Sequence, residues 1–219
     1  MKKILNKRVE TLSAFIEESD TVLDIGCDHA LLDIYLVLNK NIKVIGSDIN
    51  AGPLEKAKEN LEKYQVTDKV ELRLDDGLDA VSSDINTIVI SGMGGLSIIN
   101  ILKKINNYPN IQKLVISPNN DFELTRSEIS KLGFYITKEE MVYESGKYYL
   151  ISEYKIGTKK LDNFFGKLNL EDNIVKNYYQ YVYETNLKIL SKLGIKEKTK
   201  RKNLINENNK ITKIYINNK

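Results

Sequence analysis

One cysteine and one histidine in 219 residues leave little room for several kinds of chemistry. Cys27 cannot form an internal disulfide, and with His29 as the sole imidazole a zinc site built from cysteine and histidine ligands is excluded. A Ser-His or Cys-His hydrolase is excluded on the same ground, except around His29 itself. The first residues, MKKILNKRVETLSAF, lack the apolar run of a signal peptide or a membrane span. The expectation is a soluble cytoplasmic monomer with no metal, no membrane contact and no protein partner. An excess of charge is also missing, since 33 Lys plus Arg stand against 30 Asp plus Glu, a net +3. Divided by position, the balance breaks. Residues 1–160 carry 21 basic and 24 acidic side chains, a local −3, whereas residues 161–219 carry 12 and 6, a local +6. Such asymmetry is the footprint of a chain whose smaller part meets a polyanion.

What is present is a rhythm. Between residues 20 and 121 five short apolar runs recur, at 22–25, 43–46, 70–74, 87–90 and 113–116, each followed within two residues by Gly, Asp or Pro. Runs without alternation are how strands buried on both faces of a parallel sheet read. Helices are predicted between them over 51–65, with Leu54, Ala57, Lys58 and Leu61 on one face, over 96–105 and over 123–134. Residues 134–143 and 147–154 are β-rich and separated only by Glu144, Ser145 and Gly146, too few for a crossover helix, so they must pair antiparallel. The fold class is therefore α/β, a mostly parallel seven-stranded sheet ending in an antiparallel hairpin. It resembles the S-adenosylmethionine-dependent methyltransferase version of the doubly wound, Rossmann-like fold; a nicotinamide-binding domain would continue with parallel strands. Residues 1–19 are predicted to form a leading helix with Leu5, Val9, Leu12, Phe15 and Ile16 on one side. A boundary falls at the polar hinge after Thr158, giving domains 1–158 and 159–219. In the second, Asn169-Leu-Glu-Asp reads as a cap before a helix ended by Gly194, and a further helix carries Leu204, Ile205, Ile211 and Ile214, making an αα-hairpin.

The candidate site residues lie where these strands end. The first ends in Asp24-Ile25-Gly26-Cys27-Asp28-His29-Ala30, part of a glycine-rich loop in which Asp28 and Ala30 stand at the second and third glycine positions. Asp28 would set an anion beside a pyrophosphate, so a ligand carrying a cation and hydroxyls fits better; S-adenosylmethionine carries both. The second strand ends in Asp48-Ile49, 22 residues after Gly26, where a carboxylate grips ribose hydroxyls. The third ends in Asp75-Asp76-Gly77, placed to accept from an adenine amino group. Ser91-Gly92-Met93-Gly94-Gly95 and Ser117-Pro118-Asn119-Asn120-Asp121 follow the fourth and fifth and would form the wall where a second substrate enters. Each group taken singly reads equally as turn chemistry. Carboxylates at the ends of three successive parallel strands converge on one crevice.

Together the segments 24–32, 47–58, 75–81, 90–95 and 117–121 and the leading Lys7-Arg8 helix resemble the TrmK family, bacterial tRNA methyltransferases acting on N1 of adenine 22 in the D-arm. The resemblance covers about 150 residues, and D-x-G-x-D-H-A combined with G-M-G-G is its specific part. It implies S-adenosylmethionine as cofactor, tRNA as partner and a C-terminal helical coiled coil. Leu31 stands where relatives often carry an aromatic. On this reading Asp24, Gly26, Cys27, Asp28, His29, Asp48, Ile49, Asp76, Gly77, Gly92 and Met93 hold the cofactor. Gly94, Gly95 and Pro118 meet the base, while Asp28 and Asn119 serve catalysis. Lys7, Arg8, Lys198 and Arg201, with neighbouring tail lysines, meet phosphates. The rivals are a methyltransferase acting on another RNA, a protein or a small molecule, and a non-catalytic cofactor-binding protein that kept the fold.

Overall fold

The structure, a computed structural model, describes residues 6–194 and 196–215. Seven strands form one sheet, β1 (Thr21–Ile25), β2 (Lys43–Asp48), β3 (Val70–Leu74), β4 (Thr87–Ser91), β5 (Lys113–Ser117), β6 (Phe134–Glu144) and β7 (Lys147–Ile156), ordered β3-β2-β1-β4-β5-β7-β6. The first five are parallel, and β7 pairs antiparallel with both β5 and β6. This is the predicted sheet. The hairpin turn uses only Ser145 and Gly146, both with left-handed φ (49° and 80°), as a tight two-residue turn requires.

Helices α1 (Lys7–Ser13), α2 (Leu31–Asn39), α3 (Ala51–Tyr64), α4 (Gly95–Leu102) and α5 (Phe122–Lys131) cover the sheet. Every strand but β3 feeds two layers. β1 sends Val22 to a core shared with Leu12, Leu36 and Leu61 of the first three helices, and Leu23 and Ile25 to one shared with Ile98, Leu102 and Ile129 of the other two. Burying such side chains contributes on the order of 1.5–3 kcal/mol each, which is why these runs do not alternate.

The leading helix is shorter than predicted: its described part is Lys7–Ser13, capped by Asn6 Oδ1 accepting from Val9 N at 2.8 Å, and Leu5 lies outside the described residues. Lys40 Nζ donates to the carbonyls of Ser13 and Ile16 at 2.5 Å and stops the helix while anchoring its end. Lys113, at the start of β5, is buried against Asp20 (2.6 Å) at the opposite edge of the sheet from the candidate site.

The boundary predicted at Thr158 falls ten residues later. Residues 1–168 form one compact unit and 169–219 the second. The segment after the hinge stays with the first unit because Phe164, Phe165 and Leu168 are buried and Arg126 Nη1 donates to the carbonyls of Asn163 and Phe164 (3.0 and 2.8 Å). Divided after residue 168, the charges are −3 and +6, as they are when divided after residue 160.

The second unit contains α6 (Asn173–Lys192) and α7 (Lys198–Tyr215). The cap of α6 is Asp172 rather than Asn169: its Oδ1 accepts from Ile174 N and Val175 N. The helix ends at Lys192, before Gly194. Tyr179 meets Tyr215, Asn186 bonds Asn208 (3.0 Å) and Arg201 reaches Leu193, so residue numbers sum to nearly one value and the pair is antiparallel. The buried asparagine pair sets register at some cost in stability.

Candidate functional site

The five parallel strands present their carboxyl ends along one edge, and every loop predicted to carry chemistry leaves from it. After β1, Gly26 (φ 75°), Asp28 (φ 50°) and Ala30 (φ 55°) are all left-handed. Asp28 and Ala30 thus keep the backbone of a three-glycine loop without its glycines, at about 1–2 kcal/mol each. Gly26 N and Cys27 N donate to Ser47 O (2.8 and 3.0 Å), fastening the loop to β2. The left-handed φ of Gly26 favours glycine there, whereas a Cβ would meet only the movable tip of the Met93 side chain (Cε, 2.2 Å). Cys27 is buried, and burial together with Asp33, Asp24 and Asp48 pushes its thiol up, away from thiolate chemistry.

Asp28 and His29 face solvent, their side chains 67% and 50% exposed, with Oδ2 and Nε2 3.6 Å apart. Asp24 is different. It is buried, and its carboxyl engages that of Asp33 in the first turn of α2. Burial raises Asp24 to about 7, opposed by the Asp33 hydrogen bond and by Arg8. Asp33 and Arg8 are the side chains that the protein sets around Asp24. Asp33 was not singled out from sequence, although an acidic residue inside Leu-Leu-Asp-Ile-Tyr-Leu-Val-Leu is a visible anomaly.

At the end of β2, Asp48 Oδ1 accepts from Asn50 N (2.9 Å) and its carbonyl from Asp75 N (3.2 Å), joining two loops. Ile49 and Leu74 stand 60% and 59% exposed at the same edge. Asp76 is exposed before a 3-10 turn at Gly77–Ala80, and Gly77 (φ 57°) lies against Ile101. A shallow apolar depression bounded by Leu54, Leu72 and Leu74 lies on the α3 side of β3, beside this edge rather than in the crevice.

The β4 and β5 loops are knitted together. Asn119 N donates to Met93 O (2.8 Å), Asn119 Nδ2 to Gly92 O (2.5 Å), and Gly95 N to Asn120 Oδ1 (2.9 Å). Packing requires glycine at 95, where a Cβ would meet Thr125 Oγ1 at 2.5 Å and Asn120 O at 2.9 Å; at Gly94 it would meet only Asn120 Oδ1 at 3.3 Å, and at Gly92 (φ 85°) the Arg8 guanidinium at 3.1 Å. Pro118 is buried and Asn119 exposed. At Gly95 the protein itself makes a close approach to this loop.

Arg8 and Lys7 divide. Arg8 is half-buried, its Nη2 donating to Ser91 Oγ (2.8 Å) and its guanidinium 4.7 Å from the Tyr149 ring centroid, while Nε is buried without a hydrogen-bond partner. Burial lowers its pKa, opposed by Tyr149, Asp24 and Glu144. Arg8 is thus held between Ser91 at the end of β4 and Tyr149 of β7. Lys7 is exposed and its backbone N donates to Glu144 Oε1 (2.6 Å). In the second unit Lys198 is exposed, whereas Arg201 Nη2 donates to Leu193 O (2.8 Å) and so caps α6. Among the described residues no group of three or more His, Cys, Asp or Glu could hold a metal ion, and no helix is long and apolar enough to cross a membrane.

The family model described as "Methyltransferase domain" matches residues 5–152. The chain is 32% identical over 148 residues to the tRNA (adenine(22)-N(1))-methyltransferase of Bacillus subtilis, covering 66% of this chain and 62% of that one, so it spans under two thirds of that relative's length. Streptococcus pneumoniae Sp1610 in complex with S-adenosyl-L-methionine superposes with a TM-score of 0.86 at 30% identity, covering 96% and 99% of the two chains. M. capricolum TrmK in complex with S-adenosyl-homocysteine gives 0.83 at 27% identity, covering 96% and 97%. A methyltransferase sheet closed by the β6–β7 hairpin, the family model over residues 5–152 and the 30% identity to Sp1610, described as a putative tRNA (m1A22) methyltransferase and covered to 99%, lead to one conclusion: the chain belongs to the methyltransferase-domain family and, within it, to the tRNA (adenine(22)-N(1))-methyltransferase (TrmK) family.

Proposed function

We propose that the protein transfers a methyl group from S-adenosylmethionine to N1 of adenine 22 in the D-arm of tRNA. The observation that carries this reading is the single edge at which Asp48, Asp28 and Asn119 all emerge, next to the half-buried cation Arg8. The residues there fit the cofactor. Asp48 offers a carboxylate for ribose hydroxyls beside the exposed apolar side chain of Ile49, suited to an adenine ring. The partnerless Nε of Arg8 belongs to a cation suited to the cofactor's carboxylate. When bound, S-adenosylmethionine supplies a methyl group on a positively charged sulfur.

Adenine N1 attacks with its own lone pair, so no strong base is needed before transfer, and the methylated base carries the positive charge afterwards. Asp28, exposed at the edge, stabilises the positive charge that develops on the base. Asn119 is held by its Nδ2 on Gly92 O, which leaves its Oδ1 to accept from the adenine 6-amino group and fix the ring. Asp28→Ala and Asn119→Ala should each slow single-turnover methylation by about 10²-fold at saturating cofactor. Wild-type rates in both variants would remove these roles.

A base stacked in the tRNA core hides N1, and turning it out costs a few kcal/mol that backbone contacts must offset. The +6 second unit, with Lys192, Lys196, Lys198, Lys200 and Lys202 around its inter-helix turn, is suited to supply them. Removal of residues 169–219 should weaken tRNA binding about 10-fold or more and flatten its dependence on salt. An unchanged slope from low to high salt would take the tail out of the interface. The activity itself is tested by incubating unmodified tRNA transcripts with labelled cofactor and mapping the modified base; label at any other position, or none, overturns the reading.

A further inference from the structure

The hairpin that closes the sheet extends beyond it. The last pair between β5 and β7 is Ile116 with Ser152, and β5 ends at Ser117, so residues 147–150 of β7 and their β6 partners project past the carboxyl edge. At about 3.3 Å per residue Tyr148 lies roughly 10 Å beyond Ser117. Tyr148 sits directly opposite Tyr143, their ring centroids 4.7 Å apart, and Tyr143 remains 48% exposed. One residue on, Tyr149 turns to the opposite face and takes Arg8 against its ring.

We propose that the Tyr143–Tyr148 pair is a stacking platform for an unpaired nucleobase flanking the one that is methylated, an inference that rests on the tRNA reading above. Three further observations support a nucleic-acid occupant. The tip is held rigid by its two-residue turn and by Lys7 N on Glu144, so a base stacking there does not have to order it first. Exposed Lys7 and Lys147 stand at the same tip on the opposite face from the rings, where cations can meet the backbone of a strand that passes over it. Leu96 and Leu124, 60% and 40% exposed on the first turns of α4 and α5, carry the apolar rim along the same edge. The rings stand outside the crevice that Asp28 and Asn119 bound, so they meet a neighbour of the target rather than the target.

The test uses the full chain and unmodified tRNA transcripts carrying 2-aminopurine at the nucleotide on either side of adenine 22. Wild type should quench one of the two probes on binding, and Tyr143→Phe/Tyr148→Phe should do the same. Tyr143→Ala/Tyr148→Ala should lose that quenching and bind tRNA about 10-fold or more weakly, with its S-adenosylmethionine affinity unchanged as evidence of an intact fold. Wild-type quenching and tRNA affinity in the alanine variant overturn the platform while leaving the methyltransferase reading intact. Failure of wild type to bind any of the transcripts overturns both.

Discussion

Asp33→Asn should make the protein more stable at pH 8 than wild type, by about 2–4 kcal/mol, and should flatten its loss of stability with rising pH. With both carboxyls ionised, neither Asp33 oxygen has a donor, and two negative charges share a fully buried space. One proton converts the pair into donor and acceptor. Burial therefore holds Asp33 well above the carboxylate range and Asp24 near 7. The groups around the pair are the Arg8 cation, nearer Asp24, and the neutral Cys27 thiol; Gly46 leaves the room, since its Cβ would stand 2.7 Å from Asp33 Oδ2. The folded values exceed the unfolded ones, so the favourable contribution is complete below about pH 4 and disappears as pH rises through 7. Asparagine donates from Nδ2 at any pH and needs no proton. Urea denaturation of both proteins at pH 5 and pH 8 checks this; parallel pH profiles would show that the pair is not what titrates.

The parts of the fold that could be read in the sequence are those where one physical demand dominates. Strands such as Thr-Ile-Val-Ile must be apolar on both faces because helices cover both, and three residues between 143 and 147 admit only a hairpin. The second helix escaped delimitation because Leu31–Asn39 is apolar nearly all round, leaving no polar face to mark its period. The boundary at 158 followed polarity, yet Phe164, Phe165 and Leu168 lay beyond it as an apolar signal of their own. At the site, strand ends predicted where Asp28, Asp48 and Asn119 would emerge. What the sequence could not convey was competition for the same atoms. Gly92, Gly94 and Gly95 make room for Arg8, Asn120 and Thr125; Arg201 caps a helix; and Asp24 answers to a residue nine positions on. These are long-range packing facts, and motif spacing does not contain them.

Arg126→Ala should destabilise the first unit by about 3–5 kcal/mol, because it strips a buried carboxylate of its cation. Arg126 is 2% exposed; its Nε donates to Glu139 Oε1 at 2.8 Å, and Ser152 Oγ donates to the same oxygen at 2.6 Å. Glu139 Oε2 accepts from Lys167 N at 2.5 Å, while Arg126 Nη1 holds the Asn163 and Phe164 carbonyls. One ion pair thus closes α5, the hairpin and the strap of residues 161–168 onto each other. Gly166 is left-handed (φ 62°), and a Cβ there would fall 2.0 Å from Glu139 Oε2, so the strap approaches the pair as closely as backbone can. Desolvating two charges consumes most of what their attraction returns, whereas one charge left behind has nothing to offset it. Arg126→Met combined with Glu139→Leu should therefore recover much of the stability lost in Arg126→Ala. None of these atoms touches the carboxyl edge, so S-adenosylmethionine affinity should hold at temperatures where the single variant is still folded. If urea midpoints place Arg126→Ala within 1 kcal/mol of wild type, or the double variant below the single, the pair is not what fastens the strap.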